Sequence, residues 1–329
     1  MAETKRPTYP DAEEILGGYF PVLDHGFVAL VDYMGSDQDV ERAARVSYGH
    51  GTRKRSATRG LVRYLRRHRH TSPSEMVELK FHACMPIFVA RQWVRHRTAS
   101  LNEYSARYSL LPLLYYTPGQ EDFAQQSVSN RQGREDEAAD PEVHREAVRR
   151  WNERRRRAGA DYEWLLANDV ARELARIDLP ASVYTQWYWK IDLHNLFHFL
   201  SLRCDEHAQL EIRRYADVMA GMVRRVAPLS YEAWIDYEFG GAHLSRVERR
   251  ALSRLVEFGD GGLRAADGAE TLDEEALREL GLSGREIREF RAKLDVPERP
   301  DFELDLAEME PAEHFRERME EAVPEVEEG

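Results

Sequence analysis

The chain has 329 residues, of which 42% are hydrophobic, and its formal net charge is −12. This length and hydrophobic content suffice for a large core, either in one big domain or in a domain with an appendage. The acidic balance argues against broad, sequence-independent nucleic-acid binding, which needs a basic surface. A locally basic pocket in such a chain points instead to a small anionic ligand.

Three further features bear on location. No apolar run reaches the roughly 20 residues that a membrane-spanning helix needs. The segment 1–11 is polar and lacks the apolar stretch of a secretion signal. Cys84 and Cys204 are the only cysteines, too few for a disulfide framework, so the sequence predicts a cytoplasmic protein.

In chain order, the first part of the sequence alternates predicted strands and helices. The apolar, β-branched segment 27–33 predicts a strand, and Ser36 or Asp37 can cap the helix that follows. Segment 77–84 alternates apolar and polar residues, which is the period of a half-buried strand. Pro86 suits the first turn of another helix.

That helix runs into a polar block, residues 95–108. We expect its buried side to include Trp93 and Val94, and Gln92 and Arg95 to share another face. Because the helix is apolar, its arginines are expected close to the core, where a buried guanidinium needs a partner.

The polar block favours a ligand site over a salt-bridged helix end. Guanidinium groups offer a rigid fork of donors that fits phosphate oxygens two at a time. If the chain is extended after Ser100, the side chains of Glu103, Ser105 and Arg107 point to one side. A carboxylate, a hydroxyl and a guanidinium would then face one pocket for a polyanionic, ring-bearing molecule.

The middle of the chain is predicted to combine a mobile loop, several helices and a segment central to the core. Segment 117–157 is rich in polar residues and predicts a mobile loop followed by a helix. Segment 161–175 has a helical pattern, and 183–202 is apolar and aromatic enough to be central to the core. An amphipathic helix is predicted over 206–226.

Short helices are predicted in the C-terminal region. Capping-box patterns at Thr271 with Glu274, and at Ser283 with Glu286, each open a helix. The Glu-rich tail after Pro311 is expected to be frayed or disordered.

Three smaller polar groups allow both a functional and a structural interpretation. The turn 70–75 contains Ser-Pro and by itself is an ordinary helix cap. Segment 203–209 lies at a predicted junction between helices, where it can form a pocket wall or a solvated break. The four arginines 154–157 most simply form a solvated helical face, with nucleic-acid contact as a minor alternative.

A histidine pair raises the question of a metal. His194 and His198 are four residues apart and share a helical face, as metal ligands often do. His207 or Asp205 could be a third ligand. No glutamate follows His194 as in a metalloprotease helix, and histidines also pack well in an aromatic helix, so a metal site is the weaker interpretation.

Several nucleotide-binding and hydrolase fingerprints are absent from the sequence. No Gly-x-Gly-x-x-Gly follows a predicted strand, and neither a Gly-Lys-Ser/Thr loop nor a Gly-x-Ser-x-Gly elbow occurs. If a dinucleotide binds, it does so in neither the Rossmann nor the P-loop manner.

The polar block resembles the signature of the flavin-dependent thymidylate synthases: Arg95-His96-Arg97, seven residues, then Ser105. The resemblance covers roughly residues 26–240. Its other parts are His70-x-Ser72-Pro73-x-Glu75, the segments 86–93 and 126–133, Leu202-Arg203, and His207-Ala208-Gln209.

The resemblance implies a fold and an assembly. We expect an α+β fold with a mixed or antiparallel sheet flanked by helices, and a C-terminal helical appendage. The synthase domain would span 26–243, after a lead-in over 1–25 and before an appendage with an acidic tail over 244–329. Members are homotetramers whose active sites draw on several subunits.

The resemblance also implies a reaction, the methylation of dUMP to dTMP. Methylenetetrahydrofolate donates the carbon, and NADPH reduces a bound FAD, which supplies the hydride. No metal, nucleic acid or membrane is implied as a partner.

The family's contacts carry over where the residues agree. The residues expected to contact FAD are Ser72, Glu75, Arg95, His96, Arg97, Asn102, Asp192, His194, His198 and His207. The residues expected to hold dUMP are Gln92, Arg95, Glu103, Ser105, Ala106, Arg107, Arg176 and Arg203. Within this set, Arg107 and Arg176 are expected on the phosphate and Arg203 on the pyrimidine edge. At positions 192, 194 and 198 some relatives have Asn, Arg and Asn.

Arg203 and Ser105 are the candidate catalytic residues. Serine is a poor nucleophile without an adjacent base, so we expect Ser105 to bind the nucleotide only. Arg203 would stabilise negative charge that develops on the pyrimidine carbonyl. The redox step belongs to the flavin, while the protein orients the rings and excludes water.

Two other classes of function remain as alternatives. A nucleic-acid-binding module would use 95–107 and 154–157, and its affinity would depend steeply on salt. A hydrolase would hold a metal at His194, His198 and His207.

Overall fold

The computed structural model describes residues 7–46, 57–127, 133–259, 262–269, 271–296, 298 and 300–324. The chain divides into two compact units. The first comprises Met1–Ala233 and Phe302–Gly329, and the second comprises Trp234–Asp301. Within the described residues, no helix is both long enough and apolar enough to span a membrane.

The strands of the described residues form one main sheet and two hairpins. They are β1 (Tyr19–Val22), β2 (Gly26–Met34), β3 (Glu78–Pro86), β4 (Ser100–Glu103), β5 (Ala124–Gln126), β6 (Arg134–Ala138), β7 (Tyr184–Asp192), β8 (Val256–Gly259) and β9 (Gly262–Ala265). The main sheet is antiparallel, with strand order β1-β2-β3-β7-β4. β5 pairs with β6, and β8 with β9.

The helices lie before, between and after these strands. They are α1 (Pro10–Ile15), α2 (Asp37–Val46), α3 (Thr58–Arg67), α4 (Ile87–Trp93), α5 (Pro141–Ala167), α6 (Arg172–Ala175), α7 (Leu193–Arg203), α8 (Leu210–Val226), α9 (Pro228–Trp234), α10 (Arg246–Leu252), α11 (Glu274–Glu279), α12 (Gly284–Leu294) and α13 (Ala312–Glu321). Short 3-10 turns occur at Ser74–Met76 and Leu306–Glu308, and a π-helical turn at Ile235–Phe239.

The core of the first unit lies on one face of the main sheet, where α4, α7 and α8 contact the strands. Alternate residues of β3, such as Leu79 and Phe81, point to that face and are fully buried. Trp93 of α4 packs there against Trp189 and Phe199. The predicted α+β class is therefore confirmed, as are the strands over 27–33 and 77–84.

The second unit has a small core of its own, formed by Ala251, Leu282, Ile287 and Phe290. The capping box predicted at Ser283 is present.

The helix predicted to start at Thr271 begins elsewhere. Its N-cap is Asp273, whose side chain accepts from the backbone N–H of Ala276, so the Thr271 prediction is wrong. A capping box that sequence reasoning missed joins Ser245 and Glu248.

The C-terminal tail is folded where the structure describes it, so the prediction that it frays is wrong for residues 312–324. Phe315 of α13 is 3% exposed and packs on Tyr19 and Phe27. The backbones of Tyr19 and Glu310 exchange two hydrogen bonds, of 3.0 and 2.8 Å. Burial of one aromatic ring thus holds an otherwise acidic segment on the first unit.

The predicted functional boundaries at residues 26 and 243 stay a prediction. The compact units divide the chain differently, because the segment from Phe302 onward returns to the first unit. The predicted helix over 161–175 is two helices, since α5 ends at Ala167 and Asp169 adopts a positive φ of 57° before α6.

Candidate active site

Helix α7 carries three of the predicted site residues at its start and middle. Asp192 caps the helix, with its two carboxylate oxygens accepting from the backbone and side-chain amides of Asn195 at 2.9 and 2.7 Å. His198 is exposed, and His194 is half-buried. The Nδ1 of His194 is buried without a hydrogen-bond partner among the described residues. A buried polar atom of that kind calls for a partner from outside the chain.

The end of α7 meets the signature segment. The Nε–H of Arg203 donates to Nε2 of His96 at 3.1 Å. Burial, followed by the charges of Arg203 and His198, lowers the pKa of His96 to about 4. His96 is therefore neutral near pH 7, and because its Nε2 accepts, its proton lies on Nδ1.

The turn 70–75 lies beside the start of α7. The backbone N–H of Leu193 donates to the carbonyl of Val77 at 2.8 Å, which ties the two segments together. Ser72 and Glu75 are exposed there, and Thr71 donates to Glu75 at 3.1 Å.

The edge strand β4 presents Asn102 and Glu103. Glu103 pairs with Trp187 of β7 in the sheet register, and its carboxylate accepts from the hydroxyl of Thr185 at 2.8 Å. Thr185 is buried, whereas Asn102 and Glu103 are exposed. One oxygen of Glu103 is thus held by the sheet while the side chain faces outward.

After Glu103 the chain turns, so the predicted alternation of Glu103, Ser105 and Arg107 along an extended segment is wrong. The backbone N–H of Tyr108 donates to the Ser105 carbonyl at 3.0 Å and closes the turn. Arg172 of α6 donates to the Tyr108 carbonyl at 2.6 Å.

Two other predicted site residues lie near this turn in sequence or in space. Ala106 is buried within it. Arg176 ends α6, the helix that supplies Arg172, and is half-buried.

The arginines of the polar block are not near the core, contrary to the expectation. Arg95, Arg97 and Arg107 are exposed, and so is Val94, at 43%. The reason is that α4 ends at Trp93, and β4 lies at the edge of the sheet with only β7 beside it. Gln92 and Arg95 accordingly do not share a helical face.

Gln92 instead joins the start of α8. Its Nε2 donates to Oε1 of Gln209, and Nε2 of Gln209 donates to Glu211 at 2.8 Å. His207 is exposed, bonded to Asp205 at 2.9 Å, and lines a polar cavity of about 780 Å³ beside the β5–β6 hairpin.

The structure thus brings together some predicted residues and leaves others apart. His96, His198 and Arg203 meet at the end of α7, where the rings of His96 and His198 lie 6.1 Å apart. Ser72, Glu75, Asp192 and His194 gather at its start. The exposed residues of β4 and its turn are the third group, and among the described residues no hydrogen bond or ring contact joins the three groups.

The geometry gives little support to the two alternatives, a nucleic-acid-binding module and a metal hydrolase. Among the described residues, no group of three or more His, Cys, Asp or Glu side chains could hold a metal ion. In the arginine run, Arg155 is half-buried and donates to Thr117 and to the Tyr116 carbonyl at 2.6 and 2.5 Å, so it stabilises the fold instead of facing solvent.

Comparison with known proteins identifies the family. A family model described as thymidylate synthase complementing protein matches residues 29–229. The chain is 49% identical over 254 residues to a flavin-dependent thymidylate synthase of Wolbachia pipientis wMel, covering 77% of this chain and 89% of that protein. It is 47% identical over 294 residues to one of Ruegeria pomeroyi, covering 88% and 92%.

A solved structure is also similar. The UMP/dUMP methylase PolB from Streptomyces cacaoi, bound with 5-Br dUMP, has a TM-score of 0.60 and 33% identity, covering 66% of this chain and 97% of that one. The chain belongs to the flavin-dependent thymidylate synthase family.

Proposed function

We propose that this chain methylates dUMP to dTMP, with methylenetetrahydrofolate as the carbon donor and NADPH-reduced FAD as the hydride source. The observation that carries the proposal is the contact between His96 of the signature and Arg203. Family membership and the similarity to a uridylate methylase support the same reaction.

The donor set on and around α7 fits a flavin. The unpartnered buried Nδ1 of His194 needs a ligand atom, and the exposed Ser72, Glu75 and His198 add polar groups nearby. Arg95 and Arg97 suit the diphosphate, since both are exposed and offer forked donors. The full set proposed to hold FAD is Ser72, Glu75, Arg95, His96, Arg97, Asn102, Asp192, His194, His198 and His207. When bound, FAD supplies the hydride that the protein side chains cannot.

The nucleotide is bound by the residues of β4, its turn and the arginines around them. Arg107 and Arg176 bind the phosphate, because each can present a forked pair of donors to two oxygens. The full set proposed to hold dUMP is Gln92, Arg95, Glu103, Ser105, Ala106, Arg107, Arg176 and Arg203.

Arg203 does the electrostatic part of the reaction. An arginine stays protonated even when half-buried, and its Nε is occupied by His96, which leaves the two terminal nitrogens for the pyrimidine. Donors fixed in this way stabilise negative charge that develops on a pyrimidine carbonyl. Because His96 is neutral, it does not compete with Arg203 for the negative charge that develops on the carbonyl.

Protein nucleophiles are poorly placed. Ser105 accepts only from the backbone N–H of Arg107, at 3.4 Å, and no base contacts its hydroxyl among the described residues. Both cysteines are buried, and burial raises the pKa of Cys84 and of Cys204, so neither supplies a thiolate. Ser105 therefore binds nucleotide and does not attack it.

The active site is completed in a homotetramer. Arg95, Arg97 and Arg107 are exposed in the single chain, and so are the large apolar side chains Tyr108 and Ile177, at 74% and 70%. Such groups are expected to be covered in an assembly whose sites lie between subunits. The cytoplasm, where the reduced cofactors are kept, is the proposed location.

Absorbance spectroscopy of the purified protein tests the proposal. We expect flavin bands that bleach when NADPH is added without oxygen, and saturable binding of dUMP. Colourless protein that takes up no added FAD would contradict the proposal, as would flavin that NADPH cannot reduce.

A further inference from the structure

The turn that follows β4 is held by two tyrosines that lie outside the proposed ligand-binding sets. The hydroxyl of Tyr104 donates to the carbonyl of Leu110 at 2.5 Å and so joins the two ends of the turn. The hydroxyl of Tyr162, on α5, accepts from the backbone N–H of Leu111 at 3.2 Å. We call Tyr104 and Tyr162 the tyrosine clamp.

Both tyrosines of the clamp are fixed in the fold themselves. Tyr162 is 1% exposed in the interior of the first unit. The backbone N–H of Tyr104 donates to the carbonyl of Gln186 on β7 at 2.8 Å, which continues the pairing of β4 with β7. The tyrosine clamp therefore ties the turn to the main sheet on one side and to α5 on the other.

The middle of the turn presents Arg107 to the outside. Ala106 is buried within the turn, whereas Arg107 beside it is exposed. The Arg107 guanidinium lies 5.4 Å from the ring centre of Tyr108, and among the described residues it makes no hydrogen bond or ion pair. Its forked donors are therefore available to a ligand, while the backbone that carries them is held from both ends.

Helix α6 meets the same turn. Arg172 donates from its guanidinium to the carbonyl of Tyr108 at 2.6 Å. Arg176 follows four residues later and keeps helical backbone angles, so its side chain leaves α6 on the same face as that of Arg172. The two arginines proposed for the phosphate, Arg107 and Arg176, thus belong to segments that are joined at this turn.

We propose that Tyr104 and Tyr162 are positioning residues, which hold Arg107 where it can share the phosphate with Arg176. The inference rests on the proposed function, in which both arginines bind the phosphate of dUMP. A guanidinium makes its paired bonds to two phosphate oxygens only when the backbone that carries it is held in the productive geometry. Without the tyrosine clamp, the turn would have to be ordered each time the nucleotide binds, which lowers affinity.

Tyr104→Phe tests the proposal, because it removes the hydroxyl and keeps the ring. Calorimetric titration of the FAD-loaded variant should show dUMP affinity lower by about threefold to tenfold, which corresponds to one hydrogen bond. Steady-state kinetics should show a higher KM for dUMP and a kcat within twofold of the unmodified enzyme, because the clamp acts on the phosphate and not on the reacting ring.

Tyr162→Phe removes the other hydroxyl of the clamp and should lower dUMP affinity to a similar extent. Tyr104 is only half-buried, so its variant decides the matter if Tyr162→Phe does not fold. An unchanged dUMP affinity in Tyr104→Phe would overturn the proposal.

A double substitution shows whether the clamp acts through Arg107. In an Arg107→Ala background, Tyr104→Phe should change dUMP affinity by less than twofold, because the side chain that the clamp positions is gone. An undiminished loss in that background would mean that Tyr104 supports the fold in general, and would contradict the proposal.

Tyr115→Phe is the matched control. Tyr115 is also half-buried, but its hydroxyl has no hydrogen-bond partner among the described residues, so its removal should leave dUMP affinity within twofold of the unmodified protein. A loss equal to that of Tyr104→Phe would contradict a specific role for the clamp. Failure of the unmodified, FAD-loaded protein to bind dUMP at all would instead contradict the proposed function.

Discussion

The side chain of Arg203 donates through Nε to Nε2 of His96, across 3.1 Å. The bond joins the end of α7 to the signature segment, 107 residues away in sequence. It sets the tautomer of His96 and leaves the two terminal nitrogens of Arg203 for a ligand. One contact thus orients a neutral ring and a cation in the same place.

His96 should titrate far below an ordinary histidine. Burial, the charge of Arg203 and the charge of His198 all lower its pKa, to about 4, so NMR of histidine-labelled protein should show a neutral ring at pH 6. Arg203→Gln should raise this pKa but not restore it to 6.5, since burial is the larger cause.

The same shift has a consequence for stability. As pH falls below about 6.5, the unfolded chain binds this proton before the folded chain does, so stability falls until the pH reaches about 4. Above pH 6.5 the group contributes no pH dependence. A folded-state pKa near 6.5 would contradict this account of the His96 environment.

Ser105→Ala should retain the chemistry. Because no base contacts the hydroxyl in the part of the chain that the structure describes, we expect kcat within about tenfold of the unmodified enzyme and a higher KM for dUMP, from loss of one hydrogen bond worth about 1 kcal/mol. Steady-state kinetics with dUMP varied would measure both. Abolished turnover with unchanged nucleotide affinity would contradict a role for Ser105 in binding alone.

Thr185→Val should weaken nucleotide binding through Glu103. The hydroxyl holds the Glu103 carboxylate at 2.8 Å, and a hydrogen bond to a charged group is worth about 2 kcal/mol. We expect dUMP affinity to fall about fivefold to thirtyfold, and Thr185→Ser to restore it.

The chain offers a matched control for that substitution. Thr58 donates to Glu41 in a pair of the same chemistry between α3 and α2. Thr58→Val should leave dUMP affinity unchanged. Two outcomes would show that Thr185 does not position Glu103. One is that the two valine variants change dUMP affinity equally. The other is that Thr185→Val changes dUMP affinity neither in the unmodified protein nor in a Glu103→Ala background.

Phe315→Ala should destabilise the first unit. The ring is 3% exposed against Tyr19 and Phe27, and deletion of a buried Phe side chain costs about 3–5 kcal/mol. Phe258→Ala is the control, since Phe258 is 83% exposed and should change stability by less than about 0.5 kcal/mol. Denaturant unfolding of both variants would measure the difference, and a loss under about 1 kcal/mol for Phe315→Ala would contradict the packing of α13.

Short-range sequence patterns predicted the strands and helices whose conformation depends mainly on neighbouring residues. The alternation along 77–84 identified β3, and the amphipathic spacing along 206–226 identified α8 and its buried residues, such as Tyr215 and Met219. The strand β7 was missed as a strand, because its run of Tyr and Trp residues is equally consistent with a buried helix. The clue was its aromatic and β-branched content.

The environment of the site depends on contacts that no local pattern encodes. The exposure of Asn102 and Glu103 follows from β4 being an edge strand, which depends on the order of all five strands. Thr185 contacts Glu103 from 82 residues away in sequence, and Glu211 is linked to Gln92 only through Gln209, which lies 117 residues from Gln92, so sequence reasoning missed both. Phe315 and Met319 are four residues apart on α13, a spacing that indicates a buried helical face. The acidic composition of the tail obscured this pattern.

Tritium release from 5-labelled dUMP tests the central claim most directly. With methylenetetrahydrofolate, NADPH and FAD present, the unmodified chain should release tritium to water as dTMP forms. Arg203→Gln should reduce kcat at least a hundredfold, because charge on the pyrimidine carbonyl then lacks its donors. No release by the unmodified chain, or full release by Arg203→Gln, would contradict the account.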